Sequence, residues 1–236
     1  MQKSLANHCF KAIIYTLFLF GGSAFAQSMP QTMQYQVDAF LKDVKFNDVK
    51  SVKKALKDGM SPNAMDAKGN TALSIAITEK SIDVAKALID SPSIDLERPN
   101  LAGETPVMMA AFHGSFELVQ YLVEQRQVEI NKPGWSALHY AATNGHLKSA
   151  TYLLDQNAYV DPESPNGTTA LMMAARGGHI EVVKLLLDRG ADLSKMNAVK
   201  MTAIDFAEQH NQAEIANGLK LRWVKLYKKP YKSVVK

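Results

Sequence analysis

Cysteine is almost missing from this chain: among 236 residues, Cys9 stands alone. It lies in a segment with the marks of a secretory leader. Lys3 and Lys11 give a basic start without an acidic residue, and an apolar run follows from Ala12 to Phe20. Gly21 and Gly22 break that run, and Ala24-Phe25-Ala26 puts small residues at both critical positions of a signal-peptidase site. Cleavage after Ala26 is expected, leaving Gln27 at the new N-terminus. The run is too short to be an anchor, since crossing a bilayer takes about 20 residues. Cys9 lies upstream of the run, where a lipid cannot be attached. The processed chain 27–236 would therefore carry no thiol, which excludes a disulfide, a thiolate metal site and a cysteine nucleophile. Such a surface suits an oxidising compartment, and a periplasmic or otherwise secreted location is expected.

Acidic residues are missing from the C-terminal end. After Glu214 come Lys220, Arg222, Lys225, Lys228, Lys229, Lys232 and Lys236, with no opposing charge. These seven and the two leader lysines account for the formal +4 of the whole chain; residues 27–214 hold 18 basic against 23 acidic residues. A mildly acidic body with a basic tail is not the uniformly basic face of a nucleic-acid-binding protein. Known catalytic signatures are missing too: there is no H-E-x-x-H, no P-loop, no G-x-G-x-x-G and no G-x-S-x-G. His179-Ile180-Glu181 matches half of a zinc deaminase motif, but the Pro-Cys-x-x-Cys half is absent. Asp161 and Glu163 form a loop pair without a neighbouring base, and read as a solvated turn. Asn166-Gly167-Thr168 is a glycosylation sequon that reads more simply as a turn. No catalytic group, metal ligand or cofactor is expected.

What the chain does hold is a repeat. A hydroxyl residue, then Ala or Pro, then an aliphatic residue recurs as Thr71-Ala72-Leu73, Thr105-Pro106-Val107, Ser136-Ala137-Leu138, Thr169-Ala170-Leu171 and Thr202-Ala203-Ile204. The spacings are 34, 31, 33 and 33 residues. The hydroxyl caps a helix N-terminus, and Pro or Ala suits the first helical position. Gly69, Gly103, Gly134 and Gly167, two residues upstream, mark tight turns. A first helix with small residues follows (Ala110-Ala111, Ala141-Ala142, Ala174-Ala175), ended by Gly114, Gly145 or Gly178. A second helix places aliphatics at helical spacing, as in Ile180, Val183, Leu186 and Leu187. Gly190 and Asn157 suit its C-terminal cap.

The stretch GTTALMMAARGGHIEVVKLLLDRGAD, Gly167 to Asp192, resembles an ankyrin repeat nearly end to end. Lys68–Asp90, Gly103–Glu124 and Gly134–Leu154 are similar, Val49–Asn63 resembles half a repeat, and Met201 to about Leu226 resembles a degenerate cap. The resemblance implies an all-α repeat solenoid of stacked helix-turn-helix units with short β-hairpin fingers. It would comprise an N-cap near 33–66, repeats near 67–99, 100–130, 131–163 and 164–196, a C-cap near 197–226 and a basic tail over 227–236. The family's Thr-Pro-Leu-His signature is whole nowhere: His139 holds the last place once, and Ser74, Met108, Met172 and Asp205 replace it elsewhere. The inter-repeat hydrogen-bond network expected of that histidine should therefore be partial. No helix-stopping glycine stands near Arg126-Gln127, and the 31-residue spacing implies a shortened hairpin before Trp135.

By analogy with the family, a protein partner is expected on the concave strip of finger tips and first helices, bound by a monomer. The register puts Asn70, Glu104, Trp135, Thr168 and Met201 at finger tips. The ends of first helices offer Phe112, His113, Thr143, Asn144 and Arg176, together with Thr78, Glu79, Gln209 and His210. Trp135 and Phe112 have the character of interface anchors; alternatively Trp135 folds onto the shortened hairpin and Phe112 onto the next repeat. His139 reads as structural, and His146 and His179, each after a glycine, as turn residues. In the tail, Leu219, Trp223 and Leu226 lie at helical spacing with Lys220, Lys225 and Lys228 on other faces. Two readings stay open: a capping helix that frays after Pro230, or a basic amphipathic segment that touches an anionic membrane or an acidic partner.

Overall fold

The computed structural model describes residues 31–235; the expected leader, 1–26, lies outside them. Twelve helices among the described residues form six antiparallel pairs. They are α1 (Gln31–Lys45) with α2 (Val49–Lys57), α3 (Ala72–Thr78) with α4 (Ile82–Ile89), α5 (Pro106–Phe112) with α6 (Phe116–Arg126), α7 (Ala137–Thr143) with α8 (Leu147–Asp155), α9 (Ala170–Gly177) with α10 (Ile180–Asp188), and α11 (Ala203–Gln209) with α12 (Ala213–Tyr227). The first helices α1, α3, α5, α7, α9 and α11 pack in sequence into one row, and α2, α4, α6, α8 and α10 into a second. The result is the all-α solenoid implied by the repeat.

Small residues make the inner row possible. Ala72, Ala76, Ala110, Ala111, Ala141, Ala142, Ala174 and Ala175 are all fully buried. They bring helices of seven or eight residues close enough for Leu73, Leu138, Leu171 and Ile204 to fill the space between pairs. Burying one such leucine is worth about 2 kcal/mol, and no single pair encloses its own, so the core exists only as a stack.

The fingers are tight turns rather than ladders: one isolated antiparallel bridge, Met65 to Thr71, is the only β pairing among the described residues. The N–H groups of Asp66, Asn100, Ser164 and Asn197 each donate to the carbonyl four residues on, and Gly69, Gly103, Gly167 and Lys200 donate back across the turn. Asp66, Asn100 and Asn197 also accept two backbone N–H groups each on a side-chain oxygen, the self-bonding that makes Asx residues turn formers. The finger before Trp135 is built differently. Asn131 reaches instead to the next repeat, donating to the Asn157 carbonyl at 3.0 Å and accepting from Tyr159 N–H at 2.9 Å. The short spacing is absorbed here, and α6 runs 11 residues to end on Gln127, whose φ of 50° supplies the left-handed cap without a glycine.

Adjacent repeats are tied along the loops by one recurring device: a side-chain oxygen of one repeat accepts a backbone N–H of the next. It joins Asn63 to Asp95, Glu97 to Glu129, Asn131 to Tyr159 and Asp161 to Asp192. Asp161 is therefore no solvated turn residue. Burial pushes its carboxyl above the usual range, against the Asp192 N–H that favours the charge.

Two further expectations are corrected at the C-terminal end. The chain does not fray after Pro230, and Asp205 is not an idle substitute for histidine. Its carboxylate is fully buried and accepts from Thr202 N (2.8 Å), Thr202 Oγ1 (3.0 Å), Ser233 Oγ (2.9 Å), Val234 N (3.0 Å) and the Tyr231 hydroxyl. The Tyr231 ring stands edge-on to Trp223 at 4.9 Å. Residues 231–234 thus cover the end of the last repeat as a following repeat would.

Candidate functional site

The fourth residue of each signature faces the helix cap, and the structure shows what that place requires. His139 Nδ1 accepts from Ser136 N–H, and its Nε2 meets the Thr168 carbonyl of the next repeat at 2.9 Å. Those partners fix the neutral, Nε2-protonated tautomer, and burial holds its pKa below the ordinary value. Met108 and Met172 supply only the acceptor half, each taking the cap N–H on sulfur at 3.4 Å. The network is partial for a chemical reason: a thioether accepts weakly and cannot donate. His146 and His179 place Nε2 at 2.9 Å from the carbonyls of Phe112 and Thr143, the last residues of the preceding first helices. Each histidine is a staple between repeats, and its ring fills the space where Gly114 or Gly145 has no side chain.

With these residues accounted for, the concave strip can be read. Its centre is aromatic. Phe112 is half-buried and meets the Tyr140 ring edge-on at 5.9 Å and the His113 ring at 5.4 Å. Trp135, also half-buried, stands edge-on to His139 at 5.1 Å and tilted to Tyr140 at 6.3 Å. Both expected anchors therefore lean on neighbouring rings and keep part of their surface in solvent. Glu104 lies beside them and accepts from Asn100 Nδ2 at 2.7 Å. Burial first, and the adjacent Glu104 carboxylate second, push the Tyr140 phenol up to about 12. Burial also holds His113 below the ordinary histidine value, although Glu104 pulls the other way. The cluster thus sets one carboxyl group, Glu104, among aromatic rings.

The other expected contact residues are spread along the strip. Asn70 is half-buried and bonds Asp66 within its own finger at 2.8 Å. Thr143 is half-buried and donates to the His139 carbonyl at 2.7 Å, while Asn144 is exposed and donates to the Phe112 carbonyl at 2.8 Å. Arg176 is exposed, its Nε 3.2 Å from His210 Nε2. Met201 is half-buried. Thr168 is a correction: it is 2% exposed, because Ser164 Oγ accepts its N–H and its carbonyl is the acceptor for His139. It belongs to the repeat's own packing, not to an exposed tip.

Tyr140 is the residue that sequence reasoning missed. It follows His139 directly, and the same offset gives Ile75, Met109, Met173 and Phe206. A fixed offset repeated five times was the available signal. Among the described residues no cluster of His, Cys, Asp and Glu could hold a metal ion, and no helix is long and apolar enough to cross a membrane.

Comparison with known proteins gives one consistent answer. The family model described as "Ankyrin repeats (3 copies)" matches residues 92–164 and 157–222. Curated relatives include a mouse B-cell lymphoma 3 protein homolog, 35% identical over 118 residues, which are 47% of this chain and 26% of the relative. A glycerophosphocholine phosphodiesterase, gde1, of Schizosaccharomyces pombe is 32% identical over 112 residues, 47% of this chain and 10% of the relative. The chain thus matches about a tenth to a quarter of the length of these two. Among solved structures, an ankyrin repeat protein is 33% identical with a TM-score of 0.67, covering 77% of this chain and 96% of that one. The ankyrin repeat domain of Bcl-3, titled a unique member of the IkappaB protein family, is 30% identical with a TM-score of 0.63, covering 76% and 81%.

Proposed function

Since the chain belongs to the ankyrin-repeat family, we propose that it is a non-catalytic interaction module that grips a partner protein in its concave strip, to inhibit, protect or localise it in the periplasm or another secreted compartment. One observation carries the reading. Phe112, Trp135 and Tyr140 gather on the concave side of two adjacent repeats with part of each ring in solvent, although the stack itself is held by buried alanines and leucines on other faces. Rigid aromatic side chains grouped at the middle of a concave surface are the usual anchors of protein interfaces. Affinity capture with residues 27–236, beside a Phe112→Ala/Trp135→Ala variant of matched helicity, tests it. The expected result is a partner retained by the first and lost by the second, and rebinding of that partner after separate purification. A partner held equally by both moves the site off the concave strip.

A second reading rests on α12 and the segment after it. Leu221 and Leu226 are 74% and 55% exposed and alternate with Arg222, Lys225, Lys228 and Lys229. Exposed apolar groups among uncompensated cations suit an anionic lipid surface. Sedimentation with phosphatidylglycerol vesicles, lost in a Leu221→Asp/Leu226→Asp variant and reduced by salt, would support peripheral attachment; recovery in the supernatant at low salt would remove it.

A further inference from the structure

We propose that the concave strip carries a receptor for one cationic side chain of the bound partner, a guanidinium in preference to an ammonium, formed by the Glu104 carboxylate and the rings of Phe112, Trp135 and Tyr140. The inference deepens the interaction reading above and rests on it. It starts from a charge without a counter-charge. Among the described residues eight ion pairs form, and none includes Glu104. Arg176, on the same face, turns toward His210, and Lys80, near enough to act on His113, makes no ion pair with Glu104. Glu104 is half-buried and has two neutral donors, the Asn100 amide and the Tyr140 phenol, which orient the carboxylate without supplying a counter-charge. A partly desolvated carboxylate gains more from an arriving cation than one fully in water does.

The rings complete the argument. Phe112, Tyr140 and Trp135 follow one another edge-on or tilted at 5.9 and 6.3 Å, so they are not stacked face to face and leave ring face for a ligand. An aromatic face attracts a cation through its quadrupole, with indole the strongest of the three. His113 is neutral at neutral pH for the reason given above, so it does not compete for the carboxylate. A guanidinium is favoured because it lies flat on a ring while its fork of N–H donors engages a carboxylate edge.

The chain has two tryptophans, which makes the test internally controlled. In 15N-labelled protein, the indole N–H resonances of Trp135 and Trp223 are followed as N-acetylarginine methylamide is added, and in parallel its uncharged isostere N-acetylcitrulline methylamide. The expected result is a saturable shift at Trp135, none at Trp223, and binding of the citrulline probe weaker by about tenfold. Glu104→Gln, which keeps an acceptor for Asn100, should weaken the arginine probe to the citrulline level. An equal response to both probes, an undiminished response in Glu104→Gln, or no shift at Trp135 overturns the inference. The two-probe comparison on the unmodified chain decides even if the variant misfolds. If the probes fail while Phe112→Ala/Trp135→Ala still loses the captured partner, the interaction reading stands and the cation receptor falls.

Discussion

Replacing Tyr231 by phenylalanine should destabilise the C-terminal end of the array by about 2 kcal/mol, the worth of one hydrogen bond to a buried charged group. Asp205 is 0% exposed and has five donors, three of them from residues 231–234. The substitution keeps the ring against Trp223 and removes only the hydroxyl, which also lies 2.7 Å from Thr202 Oγ1. Burial alone would push the Asp205 carboxyl upward, but the Tyr231 hydroxyl, the Thr202 and Val234 N–H groups and the Ser233 hydroxyl together hold it below its ordinary value. The linkage sign follows: the group stabilises the fold above the usual carboxylate range, and that stability is lost as pH falls through the lowered folded pKa. The gap between native chain and variant should therefore be widest at neutral pH and shrink in acid. The assay is urea unfolding in a Trp135→Phe background, where Trp223 reports the last repeat alone and circular dichroism reports the whole stack. If the array unfolds as one unit, both transitions move together, and in a parallel thermal melt the midpoint temperature drops by about 4–8 °C; if its end unfolds separately, the Trp223 transition moves and the helical one does not. A difference under about 0.5 kcal/mol, the range of an ordinary surface substitution, would refute the role of residues 231–234 as a seal.

Three more outcomes follow from the joints between repeats. His139→Met keeps an acceptor for the Ser136 N–H but removes one of the two donors to the Thr168 carbonyl, leaving the Ser164 N–H, so at pH 7 the unfolding free energy from urea titration should fall by about 0.5–1.5 kcal/mol. Because burial lowers the His139 pKa, the native chain loses stability as pH drops below about 6.5, and the variant should close the gap by pH 5. Gly145→Ala puts a methyl on a φ of 70° and 2.4 Å from His179 Nδ1, which should cost about 1–3 kcal/mol in thermal melts; combined with His179→Ala the losses should be less than additive. Asp161→Asn keeps an acceptor for the Asp192 N–H and removes a charge that burial disfavours. Chemical denaturation at pH 7 should find it at least as stable as the native chain, which alone should gain stability as pH falls through the raised Asp161 pKa.

How much of this was legible beforehand depends on the range of the interaction. The helix pairs were, because caps and small-residue faces are written within seven or eight residues, and five units in register corrected each other. The left-handed end of α6 was not, since nothing local marks Gln127 as a substitute for glycine. Asp205 shows the limit more sharply. By position it is a degenerate signature residue, and its meaning depends on Tyr231, Ser233 and Val234, 26 to 29 residues away. Composition alone reads the same segment as a basic tail, because Lys228, Lys229 and Lys232 stand out and the polar groups between them do not. The two readings of the tail are therefore compatible in one segment: the Tyr231 and Ser233 hydroxyls and the Val234 backbone N–H reach the carboxylate, while the lysines around them stay exposed. Tyr140 failed for the opposite reason. The register marks it, but the signature histidine before it carries the recognised bond between repeats. The concave strip is therefore better read as a column, Ile75, Met109, Tyr140, Met173 and Phe206, in which one aromatic sits between two methionines. That places the ring beside Phe112, Trp135 and Glu104, at the middle of the array, where the cation receptor is proposed.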